Sequence, residues 1–243
     1  MKLYILLTFL SFLLITETPL DQQLKPAVFY SIEDFQSDSI GDLPNNWYNQ
    51  KGEVKPQTYT GDLRETYNYE VDEEFGNKFL RFDGIRGKHL SYPFFDDIDV
   101  NIYETPIFSW DWRIHEIPEG ANENSNKQND SAASIYVVFD LGHVMFRKVP
   151  KSIRYTWSSS LPVGTELSKF YGNQKIIVVG TGEDGLGDWK TFERNIVDDY
   201  QRLFGDAPPS KPLAILLLSD GNDTKNLAKA DYDNILLKSH LSN

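Results

Sequence analysis

Asp111, Arg113 and His115 recur at every second position of FSWDWRIHEI, interleaved with Phe108, Trp110, Trp112 and Ile114. Period-two alternation describes a strand whose two faces meet different surroundings, so the aromatic residues point to one side and the polar three to the other. The segments AASIYVVFD and SIRYTWS add Tyr136, Arg154, Thr156 and Trp157. Aromatic faces stack on sugar rings while guanidinium and carboxylate groups hydrogen-bond hydroxyls, so such a set can grip a glycan. The expected ligand-binding residues are Asp111, Arg113, His115, Tyr136, Arg154 and Trp157. The competing explanation is simple wetting, because an antiparallel sheet commonly shows one face to water. The tryptophans of SWDW belong to the core on either view.

Three other constellations bear on chemistry. In NYEVDEEFG, Glu70, Asp72 and Glu74 share a face of an extended segment, as the paired carboxylates of a glycoside hydrolase would, but Glu73 and the following Gly76-Asn77 favour a solvated acidic hairpin end. In SDGNDTKNLAKADYDNI, oxygen ligands stand at calcium-loop spacing, yet Lys225 occupies the place where an EF-hand needs glycine. An ordinary Asp-Gly turn is the expectation this leaves, with a structural calcium on Asp220, Asp223 or Asp233 as the alternative. Gly180, Gly182 and Gly185 of VVGTGEDG satisfy G-x-G-x-x-G, but no helix opens after them and Glu183 and Asp184 would repel a pyrophosphate, so they read as a loop between strands. The sequence has no cysteine, no G-x-S-x-G and no two histidines at metal-ligand spacing, which leaves nucleophilic and zinc chemistry without a carrier.

The elements that must position these residues are short apolar runs separated by turn residues, from AVFYSIEDF to DYDNILLK. That spacing specifies an all-β, two-sheet antiparallel β-sandwich, jelly-roll-like. One segment departs from it: Ile196, Tyr200, Leu203 and Phe204 recur at helical spacing, Asp198 and Asp199 suit the N-terminal end and Gly205 closes it, which predicts a short helix near 197–204. Residues 119–130, EGANENSNKQND, carry no large apolar side chain and read as a mobile surface loop. The start, MKLYILLTFLSFLLI, reads as a secretory signal peptide over 1–18 with an unfixed cleavage site, followed by a polar lead-in at 19–26 and a single domain over 27–243. The expected location is periplasmic or extracellular, with no membrane span in the mature chain. A net charge of −12 argues against nucleic acid and anionic lipid as partners, though a few arginines in a groove can still hold an anionic sugar.

The ordered set GDLPNNW, SWDWRI, SIYVVFD, IRYTWSS, GDWKTFERNIVDDYQRLFG, LLLSDGNDT and ADYDNILL resembles an exported bacterial family known as domain of unknown function 3047. The resemblance implies a jelly-roll-like sandwich similar to carbohydrate-binding modules, with no reaction attached. It singles out Trp110, Trp112, Tyr155, Trp157, Arg194, Asp199, Tyr200, Asp220, Asp223 and Thr224, and it places Ser134 where the family pattern has an arginine. The leading expectation is an exported, non-catalytic binder of a glycan or cell-envelope component. A polysaccharide lyase or glycoside hydrolase on the same face, and a purely structural envelope protein, are the alternatives.

Overall fold

The computed structural model of the protein describes residues 28–51, 53–57, 68–144 and 147–240. The expected signal peptide over 1–18 and polar lead-in at 19–26 lie outside the described residues. The strands, in chain order, are β1 (Phe29–Glu33), β2 (Tyr48–Lys51), β3 (Glu53–Gln57), β4 (Tyr69–Glu74), β5 (Asn77–Gly84), β6 (Leu90–Pro93) and β7 (Ile107–Glu116). They continue as β8 (Ser131–Val144), β9 (Arg147–Ser158), β10 (Glu166–Lys169), β11 (Gln174–Thr181), β12 (Trp189–Asn195), β13 (Ala214–Asp220) and β14 (Ala228–Lys238). The helix α1 spans Ile196–Phe204. A six-stranded sheet has the order β12-β7-β14-β5-β4, with β1 also on β14, and an eight-stranded sheet has the order β10-β11-β9-β8-β13-β6-β2-β3. The two-sheet sandwich expected from the strand spacing is therefore present.

Among the described residues, all strand pairs are antiparallel except β9 with β11. The chain leaves β9, passes over one strand position to lay down β10, and returns antiparallel to it as β11 in the gap. Gly180 lies at a bulge in that parallel pair, and a Cβ added there would collide with the Trp157 ring. The glycine-rich stretch thus serves a close approach between strand and indole, as a sandwich loop rather than a phosphate cradle.

The core between the sheets takes Phe108, Trp110 and Trp112 from β7, Tyr155 and Trp157 from β9, and Tyr232 from β14. Trp110 and Trp112 are fully buried, with Trp110 stacked on Phe192 at 5.8 Å and Trp112 edge-on to Tyr232 at 6.2 Å. Withdrawing an indole of roughly 200 Å² from water contributes about 5 kcal/mol before entropy is counted. This burial fixes the register of β7, because a slip by one residue would send both indoles outward.

Helix α1 starts and stops where its flanks require. The Asn195 side chain accepts from the Val197 and Asp198 backbone N–H groups at 3.1 Å, and Gly205 closes the helix at φ 80°. Asp199, 4% exposed, receives Arg194 at 2.6 and 2.8 Å, Arg202 at 2.8 Å and the Tyr155 hydroxyl at 3.0 Å. Burial pushes its carboxyl up, but these donors hold it below the usual carboxylate range. Several residues singled out by the family resemblance, Tyr155, Arg194, Asp199 and Tyr200 among them, therefore join helix to sheet.

Residues 119–130 differ from the expected mobile loop. Ala121, Glu123 and Asp130 are completely buried. Ser158 Oγ donates to Glu123 at 2.6 Å, and Asp130 receives the Asp223 and Thr224 backbone N–H groups and the Thr224 hydroxyl. A loop without large apolar residues is anchored here by carboxylates facing inward to fixed donors, a device that hydropathy does not register.

Candidate functional site

Strand alternation places Asp111, Arg113 and His115 on the outer face of the six-stranded sheet. One row of cross-strand neighbours crosses that face: Trp189 of β12 opposes Arg113 of β7, Arg113 opposes Asp231 of β14, Asp231 opposes Arg81 of β5, and Arg81 opposes Glu70 of β4. Asp231, fully buried, is the hub. It accepts from Arg81 Nε at 2.8 Å and Nη2 at 3.0 Å, from Arg113 Nε at 2.8 Å, and its Oδ2 lies 2.8 Å from His115 Nε2. Each guanidinium also reaches a carboxylate of the β4–β5 hairpin, Arg81 pairing with Asp72 and Arg113 with Glu74. Hydrogen bonds donated to Asp231 hold the Arg81 guanidinium charged, above its already high range.

Aromatic groups complete this surface. The Arg113 guanidinium lies 4.7 Å from the Trp189 ring centre and 5.0 Å from that of Phe79, while Phe79 packs edge-on to Trp189 at 5.5 Å. Phe79 is covered, but Trp189 keeps 37% of its surface exposed. The result is an indole presented to solvent and seated on a cation whose own position is fixed by two carboxylates.

The next row carries the groups best suited to proton transfer. Asp233 opposes Asp111 across β14 and β7. Asp233 is 2% exposed, and burial raises its carboxyl to about 6 against hydrogen bonds from Asn77 Nδ2 at 2.8 Å and the Asn234 backbone N–H, with Asp111 and Asp34 adding to the rise. Asp111 accepts from Asn234 Nδ2 at 2.8 Å. Asn234 itself takes φ 49° where β14 departs from its register with β7.

The six residues expected to share one ligand face are divided. Asp111, Arg113 and His115 stand together on the six-stranded sheet. Tyr136 and Arg154 point outward from the eight-stranded sheet, on the opposite side of the sandwich. There Arg154, 1% exposed, donates to Ser134, Ser131 and Asn129, with its guanidinium 5.6 Å from the Tyr136 ring. Trp157 is on neither surface. It is 2% exposed in the core, and its indole N–H donates to the Gly182 carbonyl at 3.0 Å. The reason is parity, since Trp157 lies three positions from Arg154 and a strand sends such neighbours to opposite faces. His89, packed edge-on against Tyr136, is held down to about 4 by burial and by Arg154.

The three candidate calcium ligands also part. Asp220 and Asp223 lie at the β13–β14 turn, where Asp220 accepts from the Asn222 backbone and side-chain amides and Asp223 from the Asn129 N–H. Asp233 belongs to the outer face described above. Among the described residues, no three His, Cys, Asp or Glu side chains converge as a metal set.

The residues missed from sequence are Asp231, Arg81, Phe79 and Trp189, which alternation alone does not bring to β7. Asp231 carried a signal, since an aspartate flanked by Ala230 and Tyr232 in the stretch ADYDNILL needs a cationic partner if buried. Asp72 and Glu74 do end an acidic hairpin, whose Phe75-Gly76 turn has φ 54° and 82°, but they are ion-paired rather than merely solvated.

Fold and site together define a β-sandwich with an ion-paired, aromatic-bearing outer face. Residues 46–236 match the family described as "Protein of unknown function (DUF3047)", and the chain belongs to that family. No curated protein matches the sequence. Among solved structures, the chain is similar to the family 30 carbohydrate-binding module of a cellulosomal cellulase, Cel9D-Cel44B, of Clostridium thermocellum, at 11% identity and a TM-score of 0.45, covering 88% of this chain and 99% of that one. It is also similar to the family 11 carbohydrate-binding module of cellulosomal cellulase Lic26A-Cel5E of the same organism, at 14% identity and a TM-score of 0.38, covering 89% and 97%. Among the described residues no helix is long and apolar enough to cross a membrane.

Proposed function

We propose that this protein is an exported, non-catalytic glycan-binding sandwich whose binding face is the outer surface of the six-stranded sheet around Trp189, Arg113 and His115. The exposed Trp189 ring carries this reading. An indole fixed by a guanidinium beneath it offers a flat apolar platform with little rotamer freedom to lose, and a sugar ring presents the complementary apolar face. Asp111, His115 and the edges of Asp72 and Glu74 supply acceptors and donors around it for hydroxyl groups. The export half of the proposal rests on the apolar run at the N-terminus, and fractionation of the native host followed by mass determination of the N-terminus tests it.

Binding is tested by screening the protein on a glycan array and titrating hits with intrinsic fluorescence. Binding that Trp189→Ala abolishes supports the platform, and binding indifferent to that change removes it. A second reading, glycoside hydrolysis on the same face, is favoured by Asp233, a carboxyl poised near 6 beside a second carboxylate. Release of reducing ends from an array hit, lost in Asp233→Asn, would establish that reading instead.

A further inference from the structure

A cavity of about 980 Å³ opens at the end of the sandwich where the β5–β6 connection meets the β13–β14 turn. Its described walls are Asn68, Gly84, Ile85, Arg86, Lys88, Asn222, Lys225 and Leu227. On a chain of net charge −12, this lining contains three cations and no carboxylate. We propose that the cavity is a second ligand site, separate from the Trp189 face, and that it takes an acidic saccharide through its carboxylate or sulfate groups.

The walls are built and held before any ligand arrives. The Gly221 N–H donates to the Ile85 carbonyl at 3.0 Å, which joins the two loops directly. A Cβ at Gly87 would collide with the Ser219 carbonyl, and one at Gly221 with the Asn226 carbonyl, so both loops run in contact with backbone that only glycine allows. Buried Asp130 grips the turn from behind through the Asp223 and Thr224 backbone N–H groups. Lys225, held by that turn, takes φ 66°, a left-handed backbone that a lysine rarely adopts. The turn that resembles a calcium loop in sequence therefore presents a cation.

Charge and shape specify the ligand. Among the described residues no carboxylate is ion-paired with Arg86 or Lys225, whereas Arg81, Arg113, Arg194 and Arg202 each hold one. The Lys225 ammonium donates to the Asn222 carbonyl, which takes one of its three donors. Ile85 and Leu227 remain 41% and 38% exposed in the same cavity. Cations beside apolar side chains fit a ring with one hydrophobic face and anionic substituents, whereas inorganic anions gain nothing from the isoleucine and leucine.

The test uses the whole protein with an oligogalacturonate and a sulfated oligosaccharide as separate probes, a neutral oligosaccharide of equal length, and sodium sulfate, each titrated at low salt by calorimetry. At least one acidic probe is expected to bind, the neutral one not at this site, and binding should weaken as ionic strength rises through about 0.15 M. Lys225→Gly removes the ammonium while easing the left-handed backbone, so it should keep or raise the unfolding midpoint yet weaken acidic probes about fivefold; Arg86→Gln should do the same to affinity. Trp189→Ala should leave acidic-probe binding unchanged, which separates this site from the Trp189 face. Failure of both acidic probes to bind, sulfate binding as tightly as they do, or affinities unmoved in both cationic variants would overturn the proposal.

Discussion

Replacing Asp233 by asparagine should alter the pH dependence of stability with a sign and size set by the structure. Burial lifts its carboxyl from 3.8 to about 6, so the folded chain holds a proton there that the unfolded chain has released. At about 1.36 kcal/mol per pH unit, that displacement costs about 3 kcal/mol of stability above pH 6, and the cost vanishes as pH falls below about 4. His89 works oppositely. Its folded value of about 4 lies below the ordinary 6.5, so the neutral ring is favoured in the fold and up to about 3 kcal/mol is lost as pH falls through that interval. The two slopes offset in the wild type. Asp233→Asn should therefore gain stability at pH 7.5 and expose the His89 slope, whereas His89→Gln should expose the Asp233 slope. Urea unfolding of the three proteins at half-unit steps from pH 4 to 8 reads this directly, because differences between them cancel the contributions of Glu33, Asp38 and Asp220. A difference curve for Asp233→Asn that stays flat across pH 4–6.5 would refute the reasoning.

Gly180→Ala should destabilise by about 1–3 kcal/mol, since the new methyl meets the buried Trp157 ring; chemical unfolding measures it, and an unchanged midpoint would contradict the close approach. Asp199→Ala leaves Arg194, Arg202 and the Tyr155 hydroxyl without their shared acceptor and should cost about 3–5 kcal/mol at pH 7. That loss should shrink as pH falls through the depressed carboxyl value, because the wild-type contribution disappears there as well. Since Asp220 is already engaged by Asn222 and Asp130 by the turn it grips, the thermal midpoint should not move on adding millimolar calcium or chelator; a calcium-dependent rise would place a metal at that turn.

Much of the fold was legible because burial in β7 follows a simple rule: indoles at alternate positions must face inward, and Trp110 and Trp112 do so with no exposed surface. The helix was equally readable, since Asp198, Asp199 and Gly205 sit where the dipole and the closing turn demand. Tertiary pairing was not. Nothing in FSWDWRIHEI states that β14 lies beside it and supplies Asp231, or that Trp189 stands across from Arg113. The expected ligand set merged two opposite surfaces for the same reason: alternation assigns a residue to one of two faces of its own strand but not to a sheet. The cavity cations were harder still, because Arg86 and Lys88 lie in the β5–β6 connection and Lys225 in the β13–β14 turn of a strongly acidic chain, and the two meet only through loop packing.

The central claim is that Trp189, braced by Arg113 on the outer face of the six-stranded sheet, is a platform for sugar rings. Calorimetric titration of the tightest neutral array hit into wild type and Trp189→Ala, with matched unfolding midpoints, tests it most directly. The account predicts that affinity falls by about tenfold to a hundredfold in the variant. Equal affinities in the two proteins, or the absence of any neutral glycan that the wild type binds, would contradict it.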